Sequence, residues 1–378
     1  VRALKDAKRP LLYVGDGIWK SGAETQIIAL AEHFGIPVVG DIRSVPIKHP
    51  LHCGRIDQYL KNNALNAINP DQIICVGVRH NGSGSSADFK MFYDAERVIA
   101  IGPDVENLKN IPGLDLAILA DERRTIERVT ELALTDSTPS TYGERRAWAR
   151  EEAASLRAQR RQDAQISPHD QSVRPWVLAD ALDNALEDIG GGLISYEQFA
   201  VPIDILGNSD GPGNNVYIRP AGGSEGYGIG AAIGVKLAAP DKPVVGLVGD
   251  GSLYYSDSGL WTAAHHGIPL LYVIPNNGAY GVVASSFGQA GGNMKQSGEY
   301  AGVVLDKIDP VKIAEGFGVE GRHVNDESQI AEAIENGLKL VETERRPLLL
   351  DVRLPLGVPQ GGHAAKPFNL KDSLIDDH

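Results

Sequence analysis

Short continuous apolar runs alternate with helix-length segments over most of the chain. The first run covers residues 11–17 and ends in a Gly-Asp-Gly turn, a helical segment follows at 23–33, and a second run covers 36–39. Two further runs, 73–78 and 98–101, are each followed by Gly or Pro. Apolar runs of this length that are bounded by turn residues are typical of buried strands. Their alternation with helices predicts an α/β fold with a doubly wound parallel sheet.

A strand–helix–strand unit follows in the C-terminal half. The runs 243–248 (PVVGLV) and 268–274 (IPLLYVI) predict two strands, and residues 257–266 predict the helix between them. Strands in such a unit are parallel, so their carboxyl ends lie side by side at the edge where open α/β folds bind ligands. GDGS at 249–252 follows the first run, and Asn276-Asn277 follows the second. We therefore expect Asp250 and Asn277 to meet in space.

Asp250 and Asn277 both present side-chain oxygen, which suits a hard cation such as Mg²⁺ that keeps phosphate oxygens and water as its other ligands. Gly249 and Gly251 allow close approach of backbone to a phosphate, and Ser252 lies where a following helix would present free N–H groups. The pattern predicts a metal–diphosphate site. The alternative is that GDGS is only a tight turn and Asn-Asn-Gly only a helix entry.

The order of these motifs resembles the thiamine diphosphate signature of the 2-oxo acid decarboxylase and acetolactate synthase family. The resemblance continues outside the signature, where further motifs are similar in order and in residue identity to those of benzoylformate decarboxylase. It is carried by GGSEG at 222–226, AAIG at 231–234, YS at 255–256, LWTAA at 260–264 and NGAYG at 277–281. The resemblance implies two doubly wound domains, a bound thiamine diphosphate and Mg²⁺.

The resemblance also implies roles for individual residues. Asp250, Asn277 and the backbone carbonyl of Ala279 would hold the metal, and Val283, Ser286 and Phe287 would line the substrate pocket. The implied cofactor-binding set is Gly223, Ser224, Glu225, Gly249, Asp250, Gly251, Ser252, Asn277, Ala279, Tyr280 and Gly281.

Glu225 departs from the family pattern, which usually has a bulky apolar residue at this position. A carboxylate there is expected to be largely desolvated, and so to have a raised pKa or a partner. One interpretation is an acid or base beside the thiazolium carbon; the alternative is that Glu225 points away, or that the alignment is displaced by one residue. His80 follows a predicted strand near the position of an active-site histidine in benzoylformate decarboxylase, and is a second catalytic candidate.

By the same resemblance, residues 1–135 are a middle domain, 136–174 a linker with a surface helix, 175–355 the diphosphate-binding domain and 356–378 a C-terminal tail. The chain begins where the family's middle domain begins. We therefore expect a separate small subunit to carry the pyrimidine-binding domain and its ylide-forming glutamate, in a heterotetramer or larger assembly. A nucleotide or flavin in the middle domain is a further expectation, because some relatives bind one there.

Composition narrows the range of partners. The chain has 36 basic and 49 acidic residues, a balance that argues against nucleic-acid binding. It has no run of 18 apolar residues and no evident signal peptide, and its two cysteines lack metal-ligand spacing. We therefore expect a cytoplasmic protein without a membrane span.

The expected reaction is cleavage or formation of a C–C bond next to a carbonyl, because thiamine diphosphate stabilises the negative charge that such reactions create. The expected substrates are a 2-oxo acid, a 2-hydroxy ketone or an acyl-CoA, and the chain alone is expected to be inactive. A 2-hydroxyacyl-CoA lyase or an acetolactate synthase subunit is the alternative within this class. A non-catalytic cofactor-binding or regulatory subunit is the alternative outside it, and a processed piece of a longer enzyme is a third reading.

Overall fold

The computed structural model of the chain describes residues 1–54, 68–79, 90–134, 140–166, 172–198, 200–202, 214–218, 225–284, 302–305 and 307–355. The chain divides into two compact units, Val1–Gln159 and Arg160–His378. The division lies inside the segment that the sequence predicts as a linker.

The first unit is built on a five-stranded parallel sheet with the order β2-β1-β3-β4-β5. Its strands are β1 Pro10–Val14, β2 Val38–Gly40, β3 Gln72–Val76, β4 Arg97–Gly102 and β5 Leu116–Leu119. Its helices are α1 Arg2–Asp6, α2 Gly17–Ser21, α3 Glu24–Phe34, α4 Lys90–Asp94, α5 Val105–Leu108 and α6 Glu122–Leu134. Helix α7, Ser140–Asp163, continues past the division between the units.

The second unit is built on a six-stranded parallel sheet with the order β10-β11-β9-β8-β6-β7. Its strands are β6 Leu193–Glu197, β7 Val216–Ile218, β8 Val244–Val248, β9 Leu271–Asn276, β10 Glu320–Val324 and β11 Leu348–Arg353. Its helices are α8 Pro175–Asp188, α9 Gly228–Ala238, α10 Asp250–Ser256, α11 Gly259–His265, α12 Pro310–Gly316 and α13 Ile330–Glu344, and a 3-10 turn covers Glu327–Gln329.

Strand β8 shows why these runs are continuously apolar. Val245 and Leu247 pack into the core that contains α8 and α13, whereas Val244 and Val248 pack into the core that contains α9 and α11. A parallel strand with helices on both faces is buried on both, so the sequence does not alternate. Each buried aliphatic side chain stabilises the unit by roughly 1.5–3 kcal/mol relative to exposure. The predicted α/β class with two doubly wound parallel sheets is confirmed.

The connection between β8 and β9 differs from the sequence prediction. The predicted helix over residues 257–266 corresponds to α11, but the sequence pattern did not indicate α10, which begins immediately after the strand with Gly249 as its N-cap. The polar residues Asp257 and Ser258 separate the two helices. The start of α10 at Asp250 brings its first helical turn to the carboxyl edge of the sheet.

Candidate functional site

A cavity of about 170 Å³ opens at the carboxyl ends of β6, β8 and β9. The strand order switches sides at β6: β7 lies on one side of it, and the next strand in sequence, β8, lies on the other. Open α/β sheets bind ligands at such switch points. The lining residues are Gln198, Ala200, Glu225, Gly249, Asp250, Gly251, Ser252, Tyr255, Pro275, Asn277, Ala279, Tyr280, Gly281, Val282 and Val283.

Asp250 is the first residue of α10 and is only 3% exposed. Its Oδ2 accepts a hydrogen bond of 2.9 Å from the backbone N–H of Gly278. Burial raises the pKa of Asp250 to about 7; hydrogen bonds from the Gly251 and Gly278 N–H groups oppose the rise, and the charge of Asp351 adds to it. A carboxylate that has lost its hydration beside a cavity fits a divalent cation, because the cation favours the charged form.

The residues after β9 form a turn that faces Asp250. Gly278 has a φ of 66°, in the left-handed region that favours glycine. Its N–H is also 3.1 Å from Asn276 Oδ1, and its carbonyl accepts a hydrogen bond of 2.8 Å from Leu305 N. Asn277 is buried and lines the cavity. The fold therefore brings the Asp250 and Asn277 segments together at one sheet edge.

The oxygen donors at this edge fit Mg²⁺. They are the Asp250 carboxylate, the Asn277 side-chain amide oxygen and the backbone carbonyl of Ala279. Ala279 also pairs with Val304 in an antiparallel bridge. Carboxylate and carbonyl oxygens suit a hard cation that keeps several water or phosphate ligands. A thiamine diphosphate–Mg²⁺ pair is thus compatible with the residues present.

Gly251 packs directly against the ring of Tyr280. A Cβ added there would lie 2.5 Å from Cε1 and 2.7 Å from Cδ1 of Tyr280. The Tyr280 ring stacks on that of Tyr255, with centroids 6.0 Å apart. At Gly249, by contrast, the nearest atom to an added Cβ is 3.7 Å away, an ordinary contact. Of the two glycines, only Gly251 is therefore in a position where a side chain would displace the Tyr280 ring.

Glu197, at the end of β6, organises the segment that begins at Glu225. Its carboxylate accepts hydrogen bonds from the backbone N–H groups of Gly226 and Gly228, and it is 2% exposed. Burial raises the pKa of Glu197, the two N–H donors oppose the rise, and a hydrogen bond with Glu225 adds to it. Sequence reasoning missed Glu197, because a single glutamate at a strand end forms no motif with residues about 30 positions away.

Glu225 lies at the cavity, but its predicted desolvation is wrong. Its side chain is exposed, and its Oε2 accepts a hydrogen bond of 3.1 Å from Ser252 Oγ. The cavity is open at this point, so the carboxylate keeps contact with water. The expectation that it has a partner holds, since both Ser252 and Glu197 contact it.

The remaining predicted site residues divide into two sets. Gly281 and Val283 line the cavity, with Val283 partly exposed. Five others lie outside the residues that the structure describes: His80, Gly223, Ser224, Ser286 and Phe287.

In the first unit, packing explains the turn Gly15-Asp16-Gly17. A Cβ on Gly15 would lie 2.1 Å from the carbonyl oxygen of Gly77, and one on Gly17 would lie 2.6 Å from Gly77 Cα. Asp16 forms ion pairs with Lys20 and Arg79. These contacts account for both glycines without the nucleotide or flavin that the sequence led us to expect.

Two family models match the chain. The one described as thiamine pyrophosphate enzyme, C-terminal TPP binding domain, matches residues 210–352, and the one described as thiamine pyrophosphate enzyme, central domain, matches residues 1–129. The chain therefore belongs to the thiamine pyrophosphate enzyme family, and the resemblance seen in the sequence is confirmed.

Several curated proteins are similar to the chain. The acetolactate synthase isozyme 3 large subunit of Escherichia coli is 28% identical over 390 residues, which cover 100% of this chain and 64% of that protein. The acetolactate synthase large subunit of Corynebacterium glutamicum is 26% identical, over 93% of this chain and 55% of that protein. Benzoylformate decarboxylase of Pseudomonas aeruginosa is 35% identical over 36% of this chain and 24% of that protein. The chain thus spans less than two thirds of the length of these relatives.

A solved structure has the same fold. The thiamine diphosphate-dependent 4-hydroxybenzoylformate decarboxylase of Rhodococcus jostii RHA1 superposes with a TM-score of 0.67 at 23% identity, over 94% of this chain and 63% of that one. Among the described helices, none is both long and apolar enough to cross a membrane.

Proposed function

We propose that this chain provides the diphosphate- and metal-binding part of a thiamine diphosphate-dependent enzyme that cleaves or forms a C–C bond next to a carbonyl. The observation that carries the proposal is the junction of α10 with the turn after β9, where Gly278 N–H donates to Asp250 Oδ2 over 2.9 Å. Residues 175–355 form the diphosphate-binding domain in this proposal, and residues 1–135 form the middle domain.

In this proposal Asp250, Asn277 and the Ala279 carbonyl hold Mg²⁺, while Gly251, Ser252 and Tyr280 contact the diphosphate. Bound thiamine diphosphate supplies the nucleophilic carbon and stabilises negative charge next to the carbonyl. The stacked rings of Tyr280 and Tyr255 line the cavity beside this turn, and Glu225 is positioned to hold or move a proton at its carboxyl oxygens.

The coenzyme also needs the glutamate of a pyrimidine-binding domain, according to the family resemblance. We propose that a separate small subunit supplies it, in an assembly with at least two copies of each chain. The alternative is that the same domain is joined to this chain in a longer polypeptide. Gel filtration with a candidate small subunit tests the first arrangement, and the reading frame upstream in the gene tests the second.

Acetolactate synthase chemistry is the second candidate reaction. It is favoured by coverage, because the two acetolactate synthase large subunits align with 93–100% of this chain, whereas benzoylformate decarboxylase aligns with 36%. A carboligase joins two 2-oxo acids after loss of CO₂, whereas a decarboxylase releases an aldehyde. Product analysis with pyruvate and with benzoylformate distinguishes the two reactions.

The decisive experiment assays the assembled complex with thiamine diphosphate, Mg²⁺ and these 2-oxo acids. We expect turnover that depends on both additives and is lost in Asp250→Ala. Coenzyme binding without turnover on any 2-oxo acid, 2-hydroxy ketone or acyl-CoA tested would favour the non-catalytic, regulatory reading. Absence of Mg²⁺-dependent coenzyme binding would overturn the proposal.

A further inference from the structure

A series of three polar side chains, linked by hydrogen bonds, connects the surface to the turn that carries Asn277. It starts at His323 on β10, passes through Asp351 on β11 and reaches Asn276 at the end of β9. In the sheet, β11 lies between β10 and β9, and Asp351 is in register with His323 on one side and Ile274 on the other.

Asp351 is 5% exposed and uses both carboxylate oxygens. Its Oδ1 accepts a hydrogen bond of 2.9 Å from Asn276 Nδ2, and its Oδ2 lies 2.9 Å from His323 Nδ1. Burial raises the pKa of Asp351, while the contacts with Asn276 and His323 oppose the rise. A buried carboxylate is costly unless it is hydrogen-bonded, so both contacts offset the cost of burying Asp351.

The contact with Asp351 fixes which way the Asn276 amide faces. Because Nδ2 points to Asp351, Oδ1 points to the turn, where it lies 3.1 Å from Gly278 N. The same N–H donates to Asp250 Oδ2. One backbone donor is therefore aligned between the amide that Asp351 orients and the carboxylate proposed to bind the metal.

His323 lies at the surface end of this series of side chains. Its side chain is 47% exposed, and its Nε2 is 3.6 Å from Oδ1 of Asp309. Asp309 is itself fixed, because it caps α12 by accepting from the N–H groups of Val311 and Lys312. The histidine thus holds the Asp351 carboxylate at the side opposite to Asn276.

We propose that Asp351 is a positioning residue for the proposed metal site: it orients Asn276 and thereby sets the turn that carries Asn277 and Ala279, and His323 holds Asp351 in place. This inference rests on the proposed function. It assigns Mg²⁺ affinity, rather than contact with the coenzyme or substrate, to a carboxylate that does not line the cavity.

The test compares Asp351→Ala, His323→Gln and the control Glu327→Gln, each as the full-length chain in the assembled complex. Glu327 is a suitable control because it is also a buried carboxylate of the second unit, ion-paired with Arg174 at 2.6 Å, and it does not line the cavity. Titration calorimetry measures the Mg²⁺ concentration that half-saturates binding in the presence of thiamine diphosphate. A thermal unfolding curve of each variant measures its stability.

We expect Asp351→Ala, which removes the acceptor of the Asn276 amide, to raise the half-saturating Mg²⁺ concentration about 10- to 100-fold, the usual loss when a residue that orients a metal ligand is changed. Saturating Mg²⁺ should restore coenzyme affinity to that of the unaltered chain, which a damaged fold would not allow. His323→Gln should shift the half-saturation in the same direction by less. Glu327→Gln should lower the unfolding temperature without shifting the half-saturation.

An unchanged half-saturation in Asp351→Ala, or an equal shift in Glu327→Gln, would overturn the inference while leaving the proposed function intact. If Asp351→Ala fails to fold, the half-exposed His323→Gln variant decides, and an unshifted half-saturation there would count against the inference. If the unaltered chain shows no Mg²⁺-dependent binding of thiamine diphosphate, the proposed function and this inference both fail.

Discussion

Ser252 Oγ donates a hydrogen bond of 3.1 Å to Oε2 of Glu225. Ser252 belongs to the first turn of α10, so this bond joins the proposed diphosphate-binding turn to the carboxylate proposed to move a proton. The same carboxylate is hydrogen-bonded to Glu197. Glu225 is therefore held at the cavity by polar partners on two sides.

Glu225→Gln should reduce kcat about 10²- to 10⁴-fold, the usual contribution of general acid–base catalysis. The amide keeps the size of the side chain and can still accept from Ser252, so thiamine diphosphate affinity should change little. Steady-state kinetics and coenzyme titration of the assembled enzyme measure the two effects separately. An unaltered kcat would mean that Glu225 has no part in proton transfer.

Gly251→Ala should destabilise the second unit by about 1–3 kcal/mol, because the added Cβ would overlap the Tyr280 ring and force it to move. Coenzyme affinity should fall with it, since Tyr280 lines the cavity beside the same turn. The matched control is Gly234→Ala inside α9, where an added Cβ meets nothing within 4 Å.

The control should stabilise the chain by roughly 0.5–1 kcal/mol, because alanine is the better helix former. Denaturant unfolding of the two variants gives both free energies. Equal behaviour of the two variants would show that Tyr280 does not need a glycine at position 251.

Glu197→Gln should weaken the segment that begins at Glu225. The amide supplies one acceptor oxygen for two backbone donors, so the N–H of Gly226 or Gly228 would lose its partner at a cost of about 1–3 kcal/mol. Hydrogen exchange should become faster in the peptide that contains Gly226, with little change in the first unit. Unchanged protection of that peptide would show that Glu197 does not hold it.

A pH dependence of stability is expected from Glu122, at the start of α6. Burial raises the pKa of this carboxyl from its ordinary 4.5, and the charges of Asp121 and Asp16 add to the rise. The folded state then binds the Glu122 proton more tightly than the unfolded state. Its contribution to stability is present below pH 4.5 and is lost as pH rises through the raised value.

Glu122→Gln should remove this contribution, so the difference in unfolding free energy between the variant and the unaltered chain should grow in the variant's favour as pH rises above 4.5. Denaturant unfolding at a series of pH values measures the difference. A difference that stays constant with pH would contradict the assignment to Glu122.

The pattern of apolar runs along the sequence predicts much of the fold and the position of the Asp250 and Asn277 segments. Apolar runs such as 243–248 indicate strands buried on both faces, and the parallel crossover between two such runs is enough to predict that Asp250 lies near Asn277. These features are local in sequence or follow from the handedness and direction of one crossover.

The features that cannot be predicted from the sequence depend on contacts between segments that are far apart in the chain. The hydrogen bonds of Glu197 to Gly226 and Gly228, and of Asp351 to Asn276, join residues about 30 to 75 positions apart. The exposure of Glu225 depends on the opening of the cavity, which no residue pattern encodes. Helix α10 is not predicted from the sequence, because Gly and Asp at 249–251 are typical of turns, whereas here Gly249 caps a helix that begins at Asp250.

The central claim is that the Asp250 and Asn277 segments bind a divalent cation that holds the coenzyme's diphosphate. The most direct measurement is calorimetric titration of thiamine diphosphate into the unaltered chain, Asp250→Ala and Asn277→Ala, each with Mg²⁺ and with EDTA, in the assembled complex. We predict Mg²⁺-dependent binding by the unaltered chain and loss of that dependence in both variants. Coenzyme binding of the same strength in all three, with or without Mg²⁺, would contradict the claim.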